Sequence, residues 1–487
     1  MKAGCFFKIV LAMLVVSTAV GGACLVSAEP DMEWNETYGG SSTDYGRSMA
    51  QTSDGGYIIA GYTDSYGTGG DDFYLVKTDS NGVKSWSEIY GGGADDRGYS
   101  VAQTSDGGYI IVGETRTFPI GSYDVYLVKT DVDGVESWSK TFGGANEDCG
   151  YSVDQTMDGG YIIVGYTGAD VYLIKTDSSG TETWSNTFDR GPIDYGLCVT
   201  QTSDAGYIIT GASCPPPFPV SMDVWLIKTD SSGAETWNKT YGGAGFDRGY
   251  SVVQTGDGGY IIAGETSSSG AGLHDVYLIK TDSSGTETWS KTFGGASDDC
   301  GYSVDQTMDG GYIIVGYTGD DVYLIKTGSD GAESWSKTMG GAGSEVGRSV
   351  AQTGDGGYIV AGYTDSYGAG NGDVWLIKVE VPPSPAPPAR ENKPNPGTVF
   401  IDRNVSFSDC VRFYFIIRDM NKTAANYCFT LTITDTDDQL VYARNYTVRR
   451  RTNWYLFYLC KDRFPPGTYD VYATACNWSQ EQQFKTH

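Results

Sequence analysis

An acidic residue recurs at fixed spacing along most of the chain. The pattern Asp-x-Gly-x-Ser begins at Asp44, Asp96, Asp148, Asp194, Asp247 and Asp299, with Glu345 heading a seventh copy and Cys198 replacing the serine in the fourth. Asp95, Glu147 and Asp298 add second charges beside three of them. Carboxylates gathered by repetition suit Ca²⁺, which takes several oxygen ligands, or a cationic or polyhydroxyl ligand. Asp96, Asp148, Asp247 and Asp299 are the candidate metal ligands. A residue present in every copy has a simpler use: an aspartate side chain accepts backbone N–H groups in a turn. That is the stronger reading here. It applies equally to a second recurrent acid, at Asp72, Asp124, Asp170, Asp223, Asp275, Asp321 and Asp373. Residues that differ between copies are better recognition candidates. Arg47, Arg97, Arg248 and Arg348 stand inside the pattern. Arg116, Tyr123, Phe218 and His274 stand in or beside stretches of unequal length. Arginine forks can hold a carboxylate bidentately, but the neighbouring aspartates offer the same chemistry, and that pairing is the expected one.

Catalysis finds little support, and no catalytic residue is assigned. The chain has two histidines, His274 and His487. A Ser-His-Asp or Cys-His system would have to use His274, and a histidine-rich metal site is excluded. Carboxylate pairs for glycoside hydrolysis are too abundant to single any out. The ten cysteines contain no C-x-x-C, so neither a zinc knuckle nor c-type haem attachment is indicated. Ca²⁺ is the one cofactor with a rationale.

The elements that must position these residues come from repetition. Tryptophans recur at Trp34, Trp86, Trp138, Trp184, Trp237, Trp289 and Trp335, and a Gln-Thr pair recurs seven times from Gln51 to Gln352. Each copy holds four short strand signals. In the second they are Tyr99–Thr104, Tyr109–Glu114, Val125–Thr130 and Ser137–Thr141. Ser105-Asp106-Gly107-Gly108 makes a tight hairpin turn between the first two. Four antiparallel strands repeated at this period predict an all-β, seven-bladed β-propeller over residues 31–379. The first Trp strand has no strands before it and the last copy lacks its own. The N-terminal strand should therefore complete the last blade beside Val374–Val379. Copies two to four also resemble copies five to seven as a block, with Cys149 and Cys300 at equivalent positions. Those two should lie three blades apart and stay unbonded.

The segment from Lys280 to Trp289 resembles the tryptophan-docking repeat of quinoprotein-type propellers. An Asp-containing turn leads to Gly285, and Trp289 follows four residues later; the Asp-to-Gly spacing is one residue shorter than in that family. The turn is also similar to the Asp-box of sialidases, where the tryptophan comes three residues after the glycine. Taken whole, the repeat resembles those of archaeal and bacterial cell-surface propeller proteins. The resemblance implies an architecture. It implies no reaction and no quinone, since it is confined to the docking turn.

Loop length varies on one face only. The stretch between second and third strands is long in copies one (Asp64–Asp71), two (Arg116–Tyr123) and four (Ser213–Met222), and shrinks to two residues in copies three and six. Diversity on one face of a rigid scaffold is the usual geometry of recognition.

Composition sets the surroundings. Lys2 and Lys8, an apolar stretch from Ile9 to Val26 and Val26-Ser27-Ala28 read as an export signal over 1–28. An uncleaved anchor, or lipid attachment at Cys24, is the alternative. No second apolar span of membrane length follows. Net charge is −28, carried by the repeats, and such a surface repels nucleic acid. A Pro-rich linker spans 380–397. Residues 398–487 alternate like an immunoglobulin-like β-sandwich, with predicted strands Val411–Arg418, Phe429–Thr434, Leu440–Val448 and Tyr469–Ala475. Cys410, Cys428, Cys460 and Cys476 should form two disulfides of undetermined pairing there, and Cys198 with Cys214 is the best pair in the propeller. Glycosylation sequons stand at Asn35, Asn238, Asn404, Asn421, Asn445 and Asn477. The expectation is a secreted or cell-surface binding or adhesion protein. Its ligand would be a polysaccharide, a surface protein or a divalent cation. A carbohydrate-active enzyme using channel carboxylates and a structural envelope component are the alternatives.

Overall fold

The computed structural model describes residues 30–116, 121–214 and 221–380, and the backbone of six strands between 398 and 475. The export signal and most of the linker lie outside the described residues. The chain divides into two compact units between Pro385 and Ala386.

The first unit is a seven-bladed β-propeller of four-stranded antiparallel sheets. Each blade's second and third strands read as unbroken apolar runs because both their faces are covered. Tyr57–Thr63 and Asp72–Thr78 of the first blade are buried throughout. The first strand, Asp44–Gln51, is half-buried, and the fourth, Lys84–Tyr90, is largely exposed. First strands of neighbouring blades approach each other around the complete ring, which makes them the inner wall and the fourth strands the rim. In the second blade the first strand begins at Asp96, three residues before its expected start, so the acidic pattern lies on the strand itself.

The ring closes as the register of its ends predicted. Met32–Tyr38 pairs antiparallel with Asp373–Val379, from Met32 opposite Val379 to Tyr38 opposite Val374, and completes the last blade.

Two repeated devices hold neighbouring blades together, and a third braces each blade. Each blade's tryptophan packs on the tyrosine that opens the second strand of the next, with ring centroids 5.7–6.2 Å apart. Six of these indoles also sit over a glycine of the next blade's outer turn. A β-carbon at Gly134 would lie 2.7 Å from Trp86. That glycine has φ +83°, a left-handed conformation that other residues adopt at a cost. The second device is a glutamine clamp: Gln103 Oε1 accepts the Ser53 N–H at 2.8 Å, and five further junctions repeat it. The third lies within the blade. Buried Lys77 reaches Asp54 at 2.8 Å and donates to the Thr78 carbonyl, and all seven blades repeat the ion pair.

The second unit has two three-stranded antiparallel sheets. One orders Thr398–Asp402, Cys410–Arg418 and Trp454–Cys460; the other orders Leu440–Arg449, Asn426–Asp435 and Tyr469–Ala475. Thr398–Asp402 and Trp454–Cys460 were not among the expected strands.

Candidate functional site

The acidic pattern performs turn chemistry. Asp96, Asp148, Asp247 and Asp299 each accept the N–H of the residue four places earlier, at 2.7–2.9 Å, and Asp44 and Glu345 do the same. Asp194 accepts two such N–H groups, from Arg190 and Gly191. Each candidate Ca²⁺ ligand thus spends one oxygen on its own turn, while Oδ1 of Asp96, Asp148 and Asp299 is buried without a hydrogen-bond partner. Among the described residues, the carboxylates that converge are others: Asp170, Asp189 and Asp194 each place an oxygen within 4.8 Å of the others. Asp189 stands where every other copy has glycine: Gly39, Gly91, Gly143, Gly242, Gly294 and Gly340. Burial, then Asp189 and Asp194, raises the pKa of Asp170.

The pattern's variable positions build the site. In every blade a bulge interrupts pairing of the first and second strands after the pattern's glycine; in the first blade it lies between Gly46 and Ser48. Gly61 faces Gly46 there, and a β-carbon on it would meet the Tyr45 carbonyl, so backbone approach at this point requires glycine. A bulge re-aims the side chain of its extra residue. Those residues are Arg47, Tyr99, Tyr151, Leu197, Tyr250, Tyr302 and Arg348. They meet along the inner wall from blade to blade. The Arg47 guanidinium lies 5.8 Å from the Tyr99 ring, Tyr99 and Tyr151 are 5.3 Å apart, Tyr250 and Tyr302 4.9 Å, and Arg348 sits 3.8 Å from the Tyr302 centroid. Tyr45, Tyr62, Tyr166, Tyr195, Tyr317 and Tyr363 extend the aromatic wall. The expectations chose the arginines of this belt and missed its tyrosines. The signal was present, because tyrosine fills the positions between the repeated Asp, Gly and Ser.

The four arginines differ in their partners. Arg97 donates to Asp71 at 2.6 Å and to Glu114 at 3.4 Å, and Arg248 to Glu265 at 3.1 Å. Arg47 and Arg348 have no carboxylate partner among the described residues. Arg47 donates to the Tyr62 hydroxyl at 2.9 Å, and the Nε atoms of both are buried without a hydrogen bond. Burial opposes the charge on Arg47, but the Tyr62 hydroxyl outweighs it and the pKa rises. The expected pairing with neighbouring aspartates holds for Arg97 alone, which meets Asp71 and, at 3.9 Å, Asp95. Each ring aspartate spends one oxygen on its turn, and two of the four arginines reach second-strand glutamates. Glu114 and Glu265, also missed, are buried and accept from Tyr99 at 2.8 Å and Tyr250 at 2.9 Å. Beside them Cys149 and Cys300 are fully buried free thiols, their pKa values pushed up by burial and then by those glutamates.

The loop candidates scatter. Arg116 is exposed, with its guanidinium 5.5 Å from the Tyr123 ring, and Tyr123 donates to Asp95 at 3.2 Å. His274 is half-buried in the loop between the second and third strands of its blade, its carbonyl accepting the Asp299 N–H of the next blade and its Nδ1 without a partner. Phe218 lies outside the described residues.

Cys198 and Cys214 do not form a disulfide; both thiols are free. Cys198 pairs with Thr210, whereas the Cys214 N–H bonds the Ile193 carbonyl. The two are separated by four residues of strand, roughly 13 Å, and a disulfide requires α-carbons within about 7 Å. The Cys198 thiol points instead to Val252 of the next blade.

Two sequons have a structural reason. Asn35 accepts the Trp375 indole N–H at 3.1 Å, and Asn238 that of Trp225 at 3.3 Å. In the other five blades a tyrosine occupies the tryptophan's place and a serine the asparagine's. Asn404, Asn421 and Asn477 lie outside the described residues. Asn445 lies on a described strand, opposite Thr430.

Fold and belt together define a seven-bladed, tryptophan-docked β-propeller with an aromatic inner wall. No family model and no curated protein matches the chain. Solved structures similar to it include a fungal alcohol oxidase in complex with copper (10% identity, 92% of this chain and 97% of that one, TM-score 0.44). Another is the β-propeller domain of the Trilobed protease from Pyrococcus furiosus (9% identity, 74% and 100%, TM-score 0.39). A third is a quinoprotein alcohol dehydrogenase-like protein from Bacteroides thetaiotaomicron (11% identity, 63% and 68%, TM-score 0.37).

Proposed function

We propose that this is a secreted or cell-surface binding protein that engages its ligand at the mouth of the ring, through the tyrosine–arginine belt and the uneven loops beside it. The observation that carries the reading is the belt. Seven copies of one scaffold share their core, their turns and their ion pairs, and differ at the bulge residue facing the channel. Tyrosine offers a flat apolar face and a hydroxyl with little side-chain entropy to lose, which suits a polysaccharide or a surface protein. A divalent cation remains a candidate ligand through Asp170, Asp189 and Asp194. The sheets of the second unit, as an immunoglobulin-like sandwich bearing the glycosylation sequons, would serve as spacer or anchor.

A glycan and cation screen on the whole chain, read by shift in melting temperature, tests this. The expected result is a shift with a saccharide that Tyr151→Ala and Tyr302→Ala reduce. Saccharide cleavage in the same wells would instead make the protein an enzyme, and no shift with any ligand would leave a structural envelope role.

A further inference from the structure

We propose that Arg47 and Arg348 form an anion site on the inner wall, one that takes the carboxylate of an acidic saccharide, a uronic acid being the simplest class. The inference rests on the belt's being a binding surface and specifies what it binds. The propeller has many acids and few bases, and most of its buried bases meet a carboxylate; besides Arg47 and Arg348, Arg190 also keeps a buried guanidinium nitrogen without a partner. Seven third-strand lysines meet seven turn aspartates. Arg97 and Arg248 meet Glu114 and Glu265. Arg47 and Arg348 alone among the four pattern arginines have no carboxylate partner among the described residues; Arg47 lies on Tyr45 and Tyr62 and bonds the Tyr62 hydroxyl, and Arg348 lies on Tyr302. Ring faces favour a cation, but they leave the guanidinium N–H groups unused, and both Nε atoms are buried without an acceptor. A buried donor left without an acceptor is costly, and a bound oxyanion removes that cost.

The placement brings the two together. They occupy the same bulge position in the last blade and the first, which adjoin where the ring closes. Tyr302 stacks on Arg348, and Tyr45 and Tyr62 lie against Arg47. Tyr45, Tyr62 and Tyr99 flank them with faces on which a pyranose ring could lie.

The test is calorimetric titration of the whole chain with an oligouronate, its neutral carboxyl-reduced counterpart, inorganic sulfate and inorganic phosphate. The oligouronate should bind, and more weakly as salt rises. The reduced oligosaccharide should bind about tenfold or more weakly, and Arg47→Gln with Arg348→Gln should weaken the oligouronate by about tenfold per arginine. Lys140→Gln, on an exposed outer strand, should leave affinity within about threefold; the salt series on the unaltered chain keeps the test valid if a variant misfolds. Equal affinity for both oligosaccharides would overturn the anion site and leave the belt as a neutral-sugar surface. Sulfate or phosphate binding as tightly as the oligouronate would make it an inorganic-anion site and overturn the saccharide. No binding by any of the four would remove both this inference and the belt reading.

A second, independent inference concerns the small unit. We infer that one of its disulfides joins Cys410 to Cys460. Cys410 stands directly opposite Cys460 in the antiparallel register, a placement whose α-carbon separation of about 4.5–5.5 Å suits a disulfide. The bond forms by exchange with an external protein or small-molecule disulfide. Two thiols lose their protons, two sulfurs join, and the external disulfide is reduced to its dithiol. Peptide mapping of the whole chain without reduction, by mass spectrometry, should find Cys410 linked to Cys460. A 410–428 or 460–476 linkage, or four free thiols, would overturn the assignment.

Discussion

At the scale of single residues, the lysine–aspartate pins show how one contact repeated seven times shapes stability. Lys129 is almost wholly buried while its partner Asp106 is mostly exposed. The two ends of the pair are therefore not equivalent. Removing the aspartate strands a buried ammonium with one carbonyl, and Asp106→Ala should cost about 1–3 kcal/mol. Lys129→Met, which replaces the charge by a side chain of similar length, should cost clearly less. Urea unfolding of both variants measures the difference, and equal losses would refute this account. Gly134 makes a similar case from backbone geometry. Its left-handed φ and the overlying Trp86 should make Gly134→Ala lose about 1–3 kcal/mol. The bulge residues belong to this scale too, and here reading from sequence reached its limit. Asp, Gly and Ser advertised themselves by repetition, whereas the belt depends on a one-residue slip at Gly46 and Gly61. That slip comes from backbone approach and leaves no mark in hydrophobic alternation. Asp189 was legible only as an interruption in a run of glycines.

At the scale of elements, six junctions between blades carry a glutamine clamp and the seventh does not. Gln51, which would clamp the first blade to the last, is exposed and makes no such bond. Trp335 lacks a glycine turn to dock on, because the outer strand of the last blade comes from the other end of the chain. It packs against Val379 and Met32 instead. Hydrogen exchange should therefore find Met32–Tyr38 less protected than every other outer strand. Uniform protection among outer strands would show that the clamp contributes nothing. Strand number, order and closure were all readable beforehand, because a period of four strands per copy with offset ends admits one economical ring. Loop conformation was not readable, since only length distinguishes the loops in the sequence.

At the scale of the whole molecule, charge and burial oppose one another as pH changes. Partial burial raises Asp54, but hydrogen bonds from Lys77 and Thr52 outweigh it and bring the pKa to about 2; Asp106, Asp158, Asp204, Asp257 and Asp355 share the value for the same reason. A carboxylate held below its unfolded value of about 4 contributes stability above that value, and the contribution is lost as pH falls through about 2. Asp72 has the opposite sign. Burial raises its pKa to about 6, aided by Asp96 and Asp71, and Asp124, Asp223 and Asp373 are raised as well, burial being the largest cause. A carboxyl held above its unfolded value costs stability as it ionises, between about 4 and about 6. Melting temperature should therefore peak near pH 4 and decline toward both 2 and 6. A maximum at neutral pH would show that the loop-face acids are relieved by a bound cation or by rearrangement.

Closure through the N-terminal strand also sets how the propeller bears tension. Met32 lies opposite Val379, and the Glu380 N–H bonds the Asp31 carbonyl, so both ends of the propeller leave one blade side by side. Force applied between those ends would peel the strand pair open one rung at a time, at low load, while the six other blades stay slack. Force applied between a ligand in the mouth and the tail beyond Glu380 would instead reach the third strand of that blade. This strand is held on both sides, by Tyr358–Thr364 and by Met32–Tyr38, and would have to slide with many rungs resisting together. The same seam is a zipper in one direction of pull and a lap joint in the other.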